Sequence, residues 1–290
     1  MEELLVYLKK NIEYIDSKLE EYTKNEEPLL KVLQESINYS LYSGGKRIRP
    51  VFCFFVGDIF SVSRDHLTSL ACSVEMIHTA SLIMDDLPHM DDAEVRRGKP
   101  ANHIVYGQDV AALATIGLLT RAYEVVLNDP ELPHEKKSKI VSILARSVGI
   151  NGMVGGQFVD LKFSNASMNY ATLEYIHNYK TVSLFAAAGK TSAIVGDAND
   201  EEIKALEEYA TNLGFAFQIL DDLLDEKGNA EEVGKTLHKD KGNFISLFGV
   251  EKSRELVEEY TQKAINALDI FGNKKEKLVM LGQMLLKRKS

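Results

Sequence analysis

Apolar positions recur along the chain at spacings of three and four, the period of a helix with one buried face. From Ile203 to Leu224 the residues Ile203, Leu206, Ala210, Leu213, Phe217, Leu220 and Leu224 form one such stripe. Gly214, Gln218, Asp221 and Asp225 lie beside it at the same spacing, a polar border on a core-facing helix. In "HLTSLACSVEMIHTASLIMDD" a second stripe runs through Leu67, Ala71, Val74, His78, Ser81 and Asp85. His78 therefore falls two turns below Asp85 on the same side. No segment alternates with the period of two that a half-buried strand requires, and no repeat period or low-complexity linker breaks the pattern. The expectation is an all-α fold in a single domain spanning residues 1–290.

Composition narrows the partners. The chain has 34 Lys and Arg against 43 Asp and Glu, a formal net charge of −9, so charge alone argues against nucleic-acid binding. Anionic ligands would have to be met by local basic clusters. The apolar stretches "VFCFFVGDIF" and "AALATIGLL" fall short of the roughly 20 residues that span a bilayer, so no membrane span is expected. The amino-terminal "MEELLVYLKKNIEYID" is acidic and amphipathic, unlike a secretory leader. Cys53 and Cys72 both sit in apolar runs and read as reduced core residues, which points to a cytoplasmic protein.

The charged positions carry the chemistry. "SLIMDDLPHMDDAEVRRGKP" puts Asp85, Asp86 and Asp91 at the carboxyl end of an apolar helix, where the backbone dipole disfavours anions. Pro88 must end or kink that helix, and a reversal there could return Asp91 towards Asp85 and Asp86. "FQILDDLLDEKG" repeats the anomaly with Asp221, Asp222 and Asp225. One such cluster alone is most often a solvated acidic helix end. Two of them, each closing a long apolar helix, instead suggest hard divalent cations, and magnesium in particular, which takes one or two carboxylates and leaves positions for phosphate oxygens. Basic residues accompany both clusters. "SGGKRIRP" supplies a glycine pair with Lys46, Arg47 and Arg49; Arg96 and Arg97 follow the first acidic cluster; Lys180 lies in "YKTVSLFAAAGK"; Lys235 and Lys241 follow the second. Magnesium ligands and scattered guanidinium and ammonium groups together suggest a site for more than one phosphorylated ligand. A P-loop nucleotide site is disfavoured, because no G-x-x-x-x-G-K-[ST] follows a strand.

These motifs, together with "GGQFVDL", "GFAFQILDDLLD" and "GKT", resemble those of the trans-isoprenyl diphosphate synthases over most of the chain. The resemblance implies an isoprenoid synthase fold, antiparallel helices around a central substrate cavity, usually as a homodimer. It implies magnesium-dependent, head-to-tail condensation of isopentenyl diphosphate with an allylic prenyl diphosphate, with three ions per site. By the same resemblance Asp85, Asp91 and Asp221 would be the main ligands, supported by Asp86 and Asp225. Arg96, Lys180 and Lys235 would hold the allylic diphosphate, and Lys46, Arg49, His78 and Arg97 would hold isopentenyl diphosphate. Lys241 matches a further lysine near the metals, and Thr181 and Gln218 would turn their oxygens towards an allylic carbocation.

Product length follows from the floor of the cavity. Relatives that make farnesyl diphosphate usually place an aromatic residue five positions before the first aspartate, where this chain has Ala80, followed by Ser81. Small residues there favour the twenty-carbon geranylgeranyl diphosphate; the fifteen-carbon product is the alternative if a bulky side chain such as Met76 or Tyr123 closes the pocket. Departures from the family pattern are His89, Ala93 and Glu94 in the first motif, Thr115 and Ile116 in "TIGLLTRAYE", where an effect on packing is expected, and Asn243 where threonine is usual. Two other readings stay open: a non-catalytic partner subunit, whose mark is loss of an acidic or basic motif, and a class I terpene cyclase, which needs no isopentenyl site.

Overall fold

The computed structural model describes residues 2–163, 169–227 and 243–286. They form helices α1 (Glu2–Thr23), α2 (Lys31–Leu41), α3 (Ile48–Ile59), α4 (Asp65–Asp85), α5 (Asn102–Tyr106), α6 (Gln108–Leu127), α7 (His134–Val148), α8 (Met153–Phe163), α9 (Tyr170–Ile176), α10 (Ser183–Val195), α11 (Asp200–Lys227), α12 (Phe244–Ala267) and α13 (Glu276–Leu286). The only strands among the described residues are β1 (Val95–Arg96) and β2 (Lys99–Pro100), an antiparallel ribbon that pairs Val95 with Pro100 and Arg96 with Lys99. Its turn residues Arg97 and Gly98 both have positive φ, as a two-residue hairpin of the primed type requires. The ribbon thus serves to present two adjacent arginines.

Helix α4 is the axis of the molecule. Every residue from Leu67 to Ile77 is buried, because α3, α6 and α10 pack around it. A helix that is apolar on all sides is a core helix, and this explains why α4 lacks a polar face. Both α4 and α6 are long and apolar enough to cross a membrane by length and composition alone, more than the short apolar runs suggested. Buried as it is, α4 has no face to offer lipid; α6 keeps part of its apolar surface exposed.

The stripe read along α11 holds for its first half only. Leu206, Ala210 and Leu213 enter the main core, but further along Phe215, Ala216, Ile219 and Leu223 are the buried positions, while Phe217, Leu220 and Leu224 are partly exposed. The reason is that the second half of α11 lies between two neighbours. One side packs on α12 in a separate apolar cluster with Leu173, Val182 and Phe244, and the other carries Phe217, Gln218 and Asp221 into a central cleft.

A π-helical turn, His177–Val182, separates α9 from α10. Its wider winding is rare and tends to occur at functional sites. Here it delivers Lys180 and Thr181 to the cleft. Gly156 of α8 makes this possible: a Cβ on that residue would lie 2.3 Å from the backbone nitrogen of Lys180, so only glycine lets α8 run directly against the turn.

Candidate active site

The first acidic motif folds back as the proline demands. After α4 ends at Asp85, the chain reverses through Leu87 and Pro88, and the Asp91 amide donates to the Asp85 carbonyl at 2.9 Å. Asp85 and Asp91 then line one wall of a cleft of about 420 Å³, and Gln218 and Asp221 of α11 line the facing wall. Lys180 sits between them, its Nζ 2.8 Å from Asp160 and 3.6 Å from Asp91. Burial works against the charge on Lys180, but Asp85, Asp160 and Asp91 outweigh it and hold its pKa above the ordinary lysine value. Burial pushes the Asp85 carboxyl up to about 6, Asp91 and Asp86 adding to the shift while Lys180 and Arg96 oppose it.

Among the described residues no three acidic, histidine or cysteine side chains converge as a ready-made metal cage. Magnesium needs no such cage, since it binds through one or two carboxylates and completes its octahedron with phosphate and water oxygens. Asp85 and Asp91 on one wall and Asp221 on the other offer oxygen donors only. A buried carboxylate whose proton is held by its surroundings is one that a cation would relieve.

Asp86 faces elsewhere. It is almost fully buried and lines a small cavity behind the cleft with Thr79, Arg96 and Asn102. Arg96 Nε donates to its two oxygens at 3.0 and 3.1 Å, and the Arg96 Nη2 also pairs with it. In this arrangement Asp86 positions Arg96, which does line the cleft, while Asp86 itself is not among the residues lining it. Asp222 is likewise structural: it accepts the Phe244 amide at 3.0 Å and so ties the start of α12 to α11. Asn243, where threonine was expected, caps α12 by accepting from the Ser246 amide at 2.9 Å. Lys235 and Lys241 lie outside the described residues, and of Asp225 only its place near the end of α11 is described.

A second, adjoining pocket of about 300 Å³ is lined by Lys46, Arg49, His78, Arg97 and Thr181, with Phe185, Phe217 and Leu285 as apolar walls. Arg49 Nη1 lies 3.3 Å from His78 Nε2, while Arg49 Nε is buried without a hydrogen-bond partner. Burial lowers the pKa of both Arg49 and Arg97, and other guanidiniums lower it further. Burial, followed by Arg49 and Arg97, holds the His78 imidazole well below its ordinary value. Glu75, on the same pocket wall, opposes the shifts of both arginines. Gly45, with φ of +133°, lets the Arg97 guanidinium lie against the loop, where a Cβ would meet it at 2.8 Å. Arg47, of the same basic run, also lines this pocket together with Glu75, but its guanidinium is committed within the protein. It is buried against Glu75 at 2.7 Å and Asp16 at 2.8 Å, and also donates to the Leu41 carbonyl, so it locks α1, α2 and α4 together.

The third compartment is apolar. Ile77, Ala80, Ser81, Met84, Met90, Thr115, Leu119, Val148, Met153, Val154, Gln157, Phe158 and Leu161 enclose about 430 Å³, and Asp85 and Lys180 stand at the junction with the acidic cleft. Ala80 and Ser81 therefore do lie on this wall. Met76 and Tyr123, the bulky residues that could have closed it, are not among its lining, and Thr115, expected to affect packing more than chemistry, is. Asp160 holds Lys180, Glu75 holds Arg47 and Gly156 admits the Lys180 backbone, contacts that sequence reading does not find because single acids and glycines inside helices carry no signal of their own; Asp160 and Gly156 lie within "GGQFVDL", whose match assigns no role residue by residue.

Acidic cleft, basic pocket and apolar chamber meet at Lys180 and Thr181, an arrangement suited to ligands with an anionic head and an apolar tail. Comparison with known proteins agrees. The profile of the Polyprenyl synthetase family matches residues 30–278. Geranylgeranyl pyrophosphate synthase 3, chloroplastic, of Arabidopsis thaliana is 40% identical over 89% of this chain and 74% of its own, and the geranylgeranyl diphosphate synthase of Cyanophora paradoxa is 37% identical over 98% and 96%. The crystal structure of geranyltransferase from Helicobacter pylori, complexed with magnesium and isoprenyl diphosphate, superposes with a TM-score of 0.88 at 30% identity, covering 98% of each chain. The chain belongs to the polyprenyl synthetase family and is a prenyltransferase with the isoprenoid synthase fold.

Proposed function

We propose that this enzyme condenses isopentenyl diphosphate with allylic diphosphates up to geranylgeranyl diphosphate. The observation that carries the reading is the apolar chamber of about 430 Å³ opening at Asp85 and Lys180, with Ala80 and Ser81 rather than aromatic side chains on its wall. Asp85, Asp91 and Asp221, with Asp225, would hold magnesium, three ions in all. Magnesium bound there supplies Lewis-acid stabilisation of the departing diphosphate. Lys180 and Arg96, with Lys235, hold the allylic diphosphate; Lys46, Arg49, Arg97 and neutral His78 hold the diphosphate of isopentenyl diphosphate; Lys241 adds to the metal side. As the allylic carbon–oxygen bond breaks, Thr181 and Gln218 turn oxygens towards the electron-poor carbons. The isopentenyl double bond attacks, and the released diphosphate takes the proton. Phe217, between the two diphosphate sites, and the apolar wall exclude water that would capture the cation.

A homodimer fits the surface. Leu113 and Ile116 of α6 and Val154 and Phe158 of α8 are each more than half exposed, and a second copy would cover them. Light scattering at twice the chain mass, falling to one mass in Ile116→Glu, tests this. The buried, unpaired thiols of Cys53 and Cys72 support a reducing compartment, read here as the cytoplasm.

The test is incubation with magnesium and isopentenyl diphosphate, offering dimethylallyl, geranyl or farnesyl diphosphate in turn, and measurement of the dephosphorylated chain length. A twenty-carbon alcohol from all three supports the reading. Arrest at fifteen carbons makes it a farnesyl diphosphate synthase. Turnover without isopentenyl diphosphate would mark a cyclase, and no turnover at all a partner subunit, although both acidic motifs and the basic pocket argue for catalysis.

A further inference from the structure

Helix α8 takes hold of one lysine at two points. A Cβ on Gly156 would lie 2.3 Å from the Lys180 backbone nitrogen, so the helix packs directly on that residue. Asp160, one turn further along the same face of α8, meets the other end of the lysine, whose Nζ donates to its Oδ2 at 2.8 Å. Both side chains are largely buried, Lys180 22% and Asp160 12% exposed. Asp160 is not among the residues lining the acidic cleft, whereas Lys180, Asp85 and Asp91 all are. Its carboxylate therefore reaches the cleft through the lysine.

The other acids around the ammonium give that contact its significance. Asp91 lies 3.6 Å from Nζ, close enough to attract it but beyond a hydrogen bond. Burial disfavours the charge on Lys180, and Asp85, Asp160 and Asp91 outweigh it. Of these three carboxylates, Asp85 and Asp91 stand on the cleft wall where magnesium is expected, and only Asp160 stands outside it. An ammonium drawn fully onto Asp91 would take one of its oxygens and set a like charge against a divalent ion. The hydrogen bond to Asp160 keeps the ammonium from doing so.

We propose that Asp160 is a positioning residue, holding the Lys180 ammonium off Asp85 and Asp91 so that magnesium can reach both carboxylates. The inference rests on the reading of Asp85 and Asp91 as magnesium ligands. A hydrogen bond between two ionised groups is about twice as strong as one between neutral groups, and Asp160→Asn keeps the shape of the side chain while losing that charge. The lysine backbone stays seated on α8, because Gly156 is untouched. Its ammonium is then left with Asp85 and Asp91 as its charged partners, and Lys180 becomes an internal competitor of the metal. With Asp160 present, the ammonium still lines the cleft and is available to a diphosphate.

The experiment measures magnesium binding by calorimetry at pH 8, with the metal alone, in wild type, Asp160→Asn, Lys180→Met and the double variant. Wild-type turnover of isopentenyl and geranyl diphosphates is checked first. Its absence would remove the prenyltransferase reading and the ligand assignment with it; an active wild type that binds no magnesium without substrate would overturn this proposal alone. The expected result is that Asp160→Asn weakens magnesium binding at least fivefold and that Lys180→Met binds it at least as tightly as wild type. The double variant should lie within twofold of Lys180→Met. Removing the lysine thus rescues the loss, which a merely structural role for Asp160 would not produce. Unchanged affinity in Asp160→Asn would overturn the proposal. So would a fivefold loss that persists in the Lys180→Met background, which would assign the Asp160 charge to the metal directly. Asp160→Ala gives the same comparison should Asp160→Asn fail to fold.

Discussion

At the scale of the residue, Ala80 and His78 make separate, checkable demands. Ala80 is buried on the wall of the apolar chamber, one helical turn below Met84. Replacing it with Tyr puts a phenol ring into the space that the last isoprene unit needs. Ala80→Tyr should therefore end extension at fifteen carbons while turnover to that length persists, and chromatography of the dephosphorylated products checks it. Overpacking there costs about 1–3 kcal/mol, small enough for the fold to survive. His78 is governed by charge. Burial and the adjacent Arg49 and Arg97 keep its imidazole neutral well below the usual pH. An anion bound among those arginines offsets their repulsion, so isopentenyl diphosphate should raise the His78 pKa. NMR titration of the ring protons should show that upward move; an unchanged titration would place the anion elsewhere.

At the scale of the element, two contacts fix helices that the chemistry depends on. Arg47 bridges α1 and α4 through Asp16 and Glu75, with Glu75 only 2% exposed. Removing one partner of a buried pair leaves an uncompensated charge and costs about 3–5 kcal/mol. Glu75→Ala should lower denaturant stability by about that much, far more than loss of the exposed Lys31–Glu35 pair, which is worth well under about 1 kcal/mol. Gly156 acts on geometry instead. A methyl group 2.3 Å from the Lys180 nitrogen forces α8 and the π-helical turn apart. Gly156→Ala should thus depress turnover by at least about tenfold, the factor that a barrier change of 1.36 kcal/mol gives, with a smaller effect on far-ultraviolet helicity.

At the scale of the whole molecule, what the sequence disclosed and what it withheld divide along physical lines. The all-helical fold, both acidic clusters and the reversal at Pro88 were legible because helical periodicity and the misplacement of anions at helix ends are local signals. The exchange of buried face along α11 was not, since it depends on α12 packing against one side, and the duties of Asp86, Arg47 and Asp160 depend on partners distant in sequence. The same global arrangement couples stability to metal. Asp85 titrates at about 6 in the folded chain against an ordinary 3.8, so between these values the unfolded chain binds fewer protons and stability falls as pH rises. About two pKa units correspond to roughly 3 kcal/mol of destabilisation, fully expressed above pH 6. Magnesium binds the ionised carboxylate and removes that penalty. Its stabilising effect should therefore be small at pH 5 and grow through pH 6 to a plateau near pH 8. Thermal unfolding with magnesium or with EDTA across this range measures it. Asp85→Asn removes both the metal ligand and the penalty: the apo protein should be more stable than wild type at pH 8, with little response to magnesium. A variant that unfolds earlier than wild type at pH 8 without metal would mean that the Asp85 carboxylate is already compensated by Lys180.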